Sequence, residues 1–263
     1  MPVNPDRVSI IITTYNTPGY LRKVLEGYLS QSLLPDEVVV ADDGSTDETA
    51  KVVEQFRSRV PFDVKHVWHE DQGFRAAKIR NEAIKVCTGE YLIFTDGDCI
   101  PHYRFVEDHC ALSDKGWFVQ GKRMLVSERA AFGFKPGSTF SMLFHCLRGE
   151  LQGCHHLLRI PGMVQKTRGL RGIKTCNLAL HRDSVYAVNG FNESFTGWGR
   201  EDAEFAVRLY AFGLKRKDPV FSAIVFHLWH PENNRDSLAE NDRMLAEAVS
   251  SSATWCSDGI VKA

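Results

Sequence analysis

The sequence predicts an α/β fold built on a mostly parallel, Rossmann-like sheet with helices on both faces, followed by a smaller, less regular region. Two observations predict it. Short β-branched apolar runs alternate with helical patterns through the first 95 residues, a βαβαβαβ order that calls for parallel strands and crossover helices. Polar and acidic residues also recur directly after those runs, at the carboxyl ends of several strands, where open sheets of this kind bind ligands.

The elements follow in order. Val8-Ser9-Ile10-Ile11-Ile12-Thr13 is a β-branched strand, and the next segment puts Leu21, Val24, Leu25, Tyr28 and Leu29 on one helical face. Val38-Val39-Val40-Ala41 is a second strand. Ser45-Thr46-Asp47-Glu48 reads as a capping box, with Ser45 as N-cap, opening a helix that carries Val52, Val53 and Phe56 and stops before Pro61. A third strand covers 64–68. A helix over about 74–87 points Ala76, Ile79, Ala83 and Val86 inward and ends at Gly89, before the strand at 91–95. Beyond about Trp117 the alternation fades. Segments 130–137 and 160–172 read as loops, the second rich in basic residues and glycine. A helix follows Gly197-Trp198-Gly199-Arg200, with Phe205, Leu209 and Phe212 on one face and Gly213 at its end. A strand is expected at 220–226, a second capping box at Ser237-Leu238-Ala239-Glu240 opens the last helix, and the polar tail after Ser250 is expected to fray.

Composition narrows the function classes. The 263 residues are 43% hydrophobic, enough for one large domain or two fused lobes. With 32 basic against 33 acidic residues, no dedicated nucleic-acid binder is expected. No apolar stretch approaches a membrane span, and the first residues lack the basic and apolar regions of a signal peptide. Seven cysteines without paired spacing suggest reduced thiols in a cytosol rather than a disulfide framework. Cys146 with Cys154-His155-His156 matches no common zinc spacing.

The chemistry concentrates at Asp96-Gly97-Asp98, after the apolar run Tyr91-Leu92-Ile93-Phe94. Two carboxylates at a strand end offer hard oxygen ligands to a divalent cation, and such a cation suits a diphosphate. The first strand delivers Thr14-Tyr15-Asn16 to the same edge and the second delivers Asp42-Asp43-Gly44-Ser45. Turn formation explains each piece separately but not their joint position, which describes a nucleotide crevice. No G-x-x-x-x-G-K-[ST] occurs, so a P-loop phosphotransferase is excluded.

Taken in order, Thr13-Thr14-Tyr15-Asn16, Asp42-Asp43-Gly44-Ser45-Thr46-Asp47, Asp71-Gln72-Gly73 running on to Arg80-Asn81, and Asp96-Gly97-Asp98 resemble glycosyltransferase family 2, with its GT-A fold. The segment from Gly197 to Glu204 resembles the acceptor-side part of β-1,4-galactosyltransferases and chondroitin-polymerase domains. Arg200 departs from it, standing where a small residue is usual. The resemblance implies a donor-binding lobe over 1–118 and an acceptor and catalytic-base lobe over 119–263, fused as one domain. It implies inverting transfer of a hexose or N-acetylhexosamine from a UDP-sugar to a glycan hydroxyl, as in bacterial surface polysaccharide synthesis. Tyr15 would stack on the base, Asp43 (or Asp42) would accept from the base imide, Asp96 would meet ribose, and Thr13, Arg80 and Trp198 complete the donor set. Asp98 and His227, with His230 as an alternative, would hold Mn²⁺ or Mg²⁺. Asp202 would be the general base and Glu201 would orient the site. Lys78 is either a phosphate partner or an exposed helix cation. The acceptor implied is a glycan, free or lipid-linked. The location implied is cytoplasmic, with peripheral membrane contact through the basic stretch near Arg168 and Arg171; oligomeric state is left open. The competing classes are a sugar-nucleotide pyrophosphorylase, which needs a glycine- and lysine-rich loop where Thr-Thr-Tyr-Asn stands, and a non-catalytic sugar-binding module.

Overall fold

The computed structural model describes residues 5–160, 162–232 and 234–262. Its first half follows the expected alternation: β1 (Val8–Thr14), α1 (Pro18–Leu29), β2 (Glu37–Asp42), α2 (Asp47–Arg57), β3 (Asp63–Trp68), α3 (Ala76–Val86) and β4 (Tyr91–Asp96). Then come β5 (Cys99–Pro101), α4 (Phe105–Leu112), β6 (Trp117–Gln120), β7 (Lys122–Val126), α5 (Glu128–Ala131) and α6 (Thr139–Leu147). They are followed by β8 (Leu151–Gln152), a 3-10 turn at Cys154–Leu157, β9 (Val164–Thr167), β10 (Asn177–His181) and α7 (Arg182–Ala187). The chain closes with α8 (Glu201–Ala211), β11 (Lys215–Pro219), β12 (Ile224–His227) and α9 (Leu238–Ser251).

The main sheet has eight strands in the order β3-β2-β1-β4-β10-β6-β11-β9, and a four-stranded sheet runs β5-β12-β7-β8. Strands β1 to β4 are parallel, and β10 lies antiparallel between β4 and β6. The first strands are buried on both faces, which is why they read as unbroken apolar runs. Side chains alternate across the pleat. Ile10, Ile12, Val38, Val40 and Ile93 pack with Leu21 and Leu25 of α1 and Val53 and Phe56 of α2. Ile11, Val39, Leu92 and Phe94 pack on the other face with Ile79 and Ala83 of α3 and Phe205 and Leu209 of α8.

Several expectations are corrected. Ser45 does not cap α2. Thr46 is the N-cap and makes no side-chain cap bond, because Ser45 Oγ accepts from Asn16 N at 2.8 Å and so ties two strand ends together. Ser237 does precede α9, but without a side-chain cap bond, and Glu240 pairs with Arg243 instead. The strand expected at 220–226 is broken: β11 ends at Pro219, which has no amide to donate, and Ala223 sits at φ 53° before β12 starts. The first segment read as a loop begins within the end of α5, and the second contains β9. The tail does not fray. Asn189 Nδ2 donates to Cys256 O at 2.7 Å and Val261 O at 2.8 Å, its Oδ1 accepts from Val261 N at 2.8 Å, and Ile260 is buried. Finally, the thiols are not all reduced: Cys146 and Cys154 form a disulfide joining α6 to the 3-10 turn, which also removes them as zinc ligands, while the other five cysteines are free and buried.

Candidate active site

The carboxyl ends of β1, β2 and β4 meet at one edge. Two glycines let them approach. A Cβ on Gly44, at φ +99°, would lie 2.5 Å from Asp71 Cα, and one on Gly97 would lie 2.6 Å from Thr14 Oγ1. Only glycine permits the backbone contacts seen there.

At the β2 end the two aspartates have different tasks. Asp42 is fully buried and both oxygens are engaged, Oδ1 by Ser45 N at 2.8 Å and Oδ2 by His66 Nε2 at 2.9 Å. Asp43 lies one step further out, bonded to His69 Nε2 at 2.7 Å and Arg75 N at 2.8 Å, and burial raises its pKa. Tyr15 is 48% exposed beside this edge, with its hydroxyl donating to Asp71 at 2.8 Å. A ring so held presents a free face to a planar base.

Asp96 and Asp98 belong to separate networks. Arg80 is buried, donates from Nε to Thr13 Oγ1 at 3.1 Å and from a terminal nitrogen to Glu201 Oε1 at 3.2 Å, and stands 3.7 Å from Asp96 Oδ1. Burial pushes the Asp96 carboxyl up to about 7 against the pull of Arg80, with Asp98 and Glu201 adding to the rise. Asp96 Oδ1 and Glu201 Oε2 are buried acceptors without a hydrogen bond among the described residues. Asn81, next to Arg80, is structural: it clasps Phe191 N and O, each at 2.8 Å.

Asp98 faces two imidazoles, with His230 Nε2 at 3.1 Å and His227 Nε2 at 3.6 Å. The sheet places His227 there, since in the β5–β12 pairing it registers with Cys99, and Leu228 N donates to Asp98 O at 2.9 Å. Burial would raise Asp98, but the His230 hydrogen bond and the two imidazoles hold it below the usual range. Burial lowers His227, while the bond to Asp98 raises His230 to about 9. One ligand atom from each of the three lies within 4.8 Å of the others, a mixed oxygen and nitrogen set that fits a divalent cation. Both histidines therefore stand within reach of such a cation, His230 once it gives up its proton. Asp96, Cys99 and Cys176 also cluster, but burial pushes the Cys99 thiol well up, so it stays protonated and a poor ligand.

Asp202 is in the first turn of α8, where the helix dipole favours the anion. Burial pushes the carboxyl up to about 7, Glu201 adds to the rise, and Arg80, the Ala203 amide and Lys174 oppose it. Arg200, the N-cap of α8, adopts φ 80°, a left-handed conformation that favours a small residue, and pairs with Asp242. Trp198 is half-buried with the Arg235 guanidinium 5.0 Å over its ring, and Gly197 N bonds Phe74 O at 3.0 Å. The structure thus joins Thr13, Arg80, Asp96, Glu201 and Asp202 in one electrostatic network and sets Asp98 beside it. Lys78 makes no ion pair among the described residues. Sequence reasoning missed His66 and His69 as aspartate partners, and Arg123 and Lys174, whose charges reach His227; no motif marks any of them.

A doubly wound sheet with acidic strand ends gathered on one edge defines a protein of the GT-A class, and the solved structures agree. TarS from S. aureus, residues 1–349, superimposes with a TM-score of 0.64 and 21% identity over 92% of this chain and 65% of that one. TarS has also been solved in complex with UDP and with UDP-GlcNAc. The family model described as glycosyl transferase family 2 matches residues 9–164, and one described as the N-terminal domain of galactosyltransferase matches 162–231. The chain belongs to glycosyltransferase family 2. Among curated relatives, validoxylamine A glucosyltransferase of Streptomyces hygroscopicus subsp. limoneus is 30% identical over 79% of this chain and 48% of its own length. Chondroitin synthase of Escherichia coli is 26% identical over 89% of this chain and 37% of its own length. Hyaluronan synthase of Pasteurella multocida is 26% identical over 78% of this chain and 23% of its own length. The chain spans about half or less of the length of these relatives.

Proposed function

We propose that the protein transfers a hexose or N-acetylhexosamine from a UDP-sugar to a glycan hydroxyl, with inversion, in the synthesis of a bacterial surface polysaccharide such as lipopolysaccharide or capsule. The carrying observation is Asp202, a carboxylate pushed to about 7 and coupled through Arg80 to Asp96. A base in that range is about half ionised at neutral pH and basic enough to take a proton from an attacking hydroxyl. Attack opposite the departing diphosphate needs one base and no glycosyl–enzyme intermediate, unlike the paired carboxylates of retaining hydrolases.

The donor lobe, 1–118, holds the nucleotide: Tyr15 stacks on uracil, Asp43 accepts from its imide N–H, and Asp96 takes a ribose hydroxyl. Asp42 supports the loop, its oxygens being engaged already. Asp98, His227 and His230 would hold Mn²⁺ or Mg²⁺, which when bound neutralises diphosphate charge. In the acceptor lobe, 119–263, Glu201 keeps Arg80 in place and offers Oε2 to an acceptor hydroxyl. The UDP complexes of TarS support the choice of nucleotide.

No helix among the described residues is long and apolar enough to cross a membrane. Peripheral contact with an anionic bilayer is supported by α6, whose Phe140, Leu143, Phe144 and Leu147 are exposed at helical spacing. No carboxylate occurs in 129–149, and Arg148 stands 5.6 Å from the Phe144 ring centroid. The Cys146–Cys154 disulfide stands against a cytoplasmic location, since a reducing compartment disfavours it.

The test is UDP release from a panel of UDP-sugars with Mn²⁺, with and without EDTA. We expect release that EDTA and Asp98→Ala abolish, and an Asp202→Asn protein that binds UDP without turning over. Near-normal turnover by Asp202→Asn removes the base assignment.

A further inference from the structure

A second concavity opens beside this centre. It is a cleft of about 590 Å³ between β6, β7, β9, β10 and β11, lined by Lys122, Arg123, Arg168, Arg171, Lys174 and Arg216. Against these six cations it has one carboxylate, Asp218, which Arg216 meets at 2.6 Å and Lys122 at 3.5 Å. Arg123, Arg168, Arg171 and Lys174 make no side-chain hydrogen bond or ion pair among the described residues. Arg216 is buried and organises the wall: it donates to Gly169 O at 3.2 Å and Arg171 O at 3.0 Å, fixing the turn that carries Arg168 and Arg171. Its Nε–H is buried without an acceptor.

Six cations against one carboxylate leave an excess of five positive charges around one cavity, which repel each other unless a ligand offsets them. A neutral sugar offers no such compensation; a phosphate or carboxylate does, and arginine forks match either. The cleft also reaches the reacting side: Cys176 lines it, and its Sγ lies within 4.8 Å of an Asp96 carboxylate oxygen. The nucleotide edge at Tyr15 and Asp43 belongs to other strands, β1 and β2.

We propose that this cleft is the acceptor subsite and that the acceptor carries an oxyanion, phosphate or uronate carboxylate, close to the hydroxyl that receives the sugar. The inference rests on the transferase reading above and narrows its acceptor class. It removes Arg168 and Arg171 from the role of membrane contacts.

The test is calorimetric titration of the UDP- and Mn²⁺-loaded protein in physiological salt. The probes are an oligosaccharide of alternating uronic acid and N-acetylhexosamine, its carboxyl-reduced form, a short polyol-phosphate oligomer, and phosphatidylglycerol vesicles. We expect one soluble anionic probe to bind at least about tenfold more tightly than the uncharged sugar. The uronate and phosphate arms separate the two sources of charge. Arg168→Glu/Arg171→Glu, and separately the milder Lys174→Gln, weaken that binding while retaining UDP affinity. Equal binding of charged and uncharged probes, undiminished binding by both variants, or binding to the vesicles alone overturns the inference. A wild-type protein that binds the anion but releases no UDP from any UDP-sugar sinks the transferase reading and leaves the cleft's ligand class standing.

Discussion

Asp202 and Asp98 are both aspartates at the edge of one sheet, yet their surroundings drive them apart. Asp98 is held ionised by two imidazoles, while burial and Glu201 lift Asp202 to about 7. A base acts only when ionised. Transfer should therefore be level above about pH 7 and fall toward tenfold per pH unit below it, as Asp202 takes up its proton. A pH profile of kcat/KM between 5.5 and 9 checks this, and Asp202→Asn should leave only a flat residue of activity. The motifs made Asp98 and Asp202 legible in the sequence. The choice between Asp42 and Asp43 was not, because it depends on His66 and His69, which reach these carboxylates from the neighbouring strand and its loop and carry no local signature. Arg200 shows the reverse: a departure visible in the sequence at a backbone position, φ 80°, where a small residue costs least and arginine is strained.

Among the elements, α6 is the one whose apolar pattern works against the usual inference. Its sequence carries helical spacing, but Phe140 is 82% and Leu147 86% exposed, while Met142 is its buried anchor. An apolar stripe normally predicts the face turned to the core; here it turns to solvent. We expect the protein to sediment with phosphatidylglycerol vesicles and Phe140→Asp/Leu147→Asp to lose at least about tenfold in partitioning, since each buried large apolar side chain is worth about 1.5–3 kcal/mol. Unchanged sedimentation by that variant rules the helix out as the contact. Strands β1, β2 and β4 were legible because burial on both faces leaves a continuous apolar signature, whereas β3 lies at the sheet edge and is only partly buried. Strands β9 and β11 were not: their residues Lys166, Lys215, Arg216 and Lys217 read as surface, although β11 buries Arg216 and Lys217 against Asp218 and Asp114.

For the molecule as a whole, one buried anion contributes to stability in acid. Glu37 opens β2 at zero exposure and is surrounded by Lys65, Ser9, Thr88 and Gly89. Burial opposes its charge, but the Lys65 bond and those from Ser9 and the two amides win, holding its pKa at about 2. A depressed carboxyl stabilises the fold above its ordinary pKa and loses that contribution as pH falls from about 4.5 to about 2. Urea unfolding should weaken across that window in the wild type. Glu37→Gln should weaken much less there and start about 3 kcal/mol less stable at pH 7. The overall α/β class was legible in the alternation of the first 95 residues. The docking of the tail on Asn189 was not, since a single buried amide joins segments some 70 residues apart.

The seating of β10 between β4 and β6 has a consequence for synthesis of the chain. When the ribosome has delivered the first 118 residues, β4 has a neighbour on one side only, and its other row of amides awaits residues 177–181. Such an open strand invites pairing with other nascent chains. A gene cut between codons 118 and 119 should give an insoluble first fragment that becomes soluble when the second is translated alongside it.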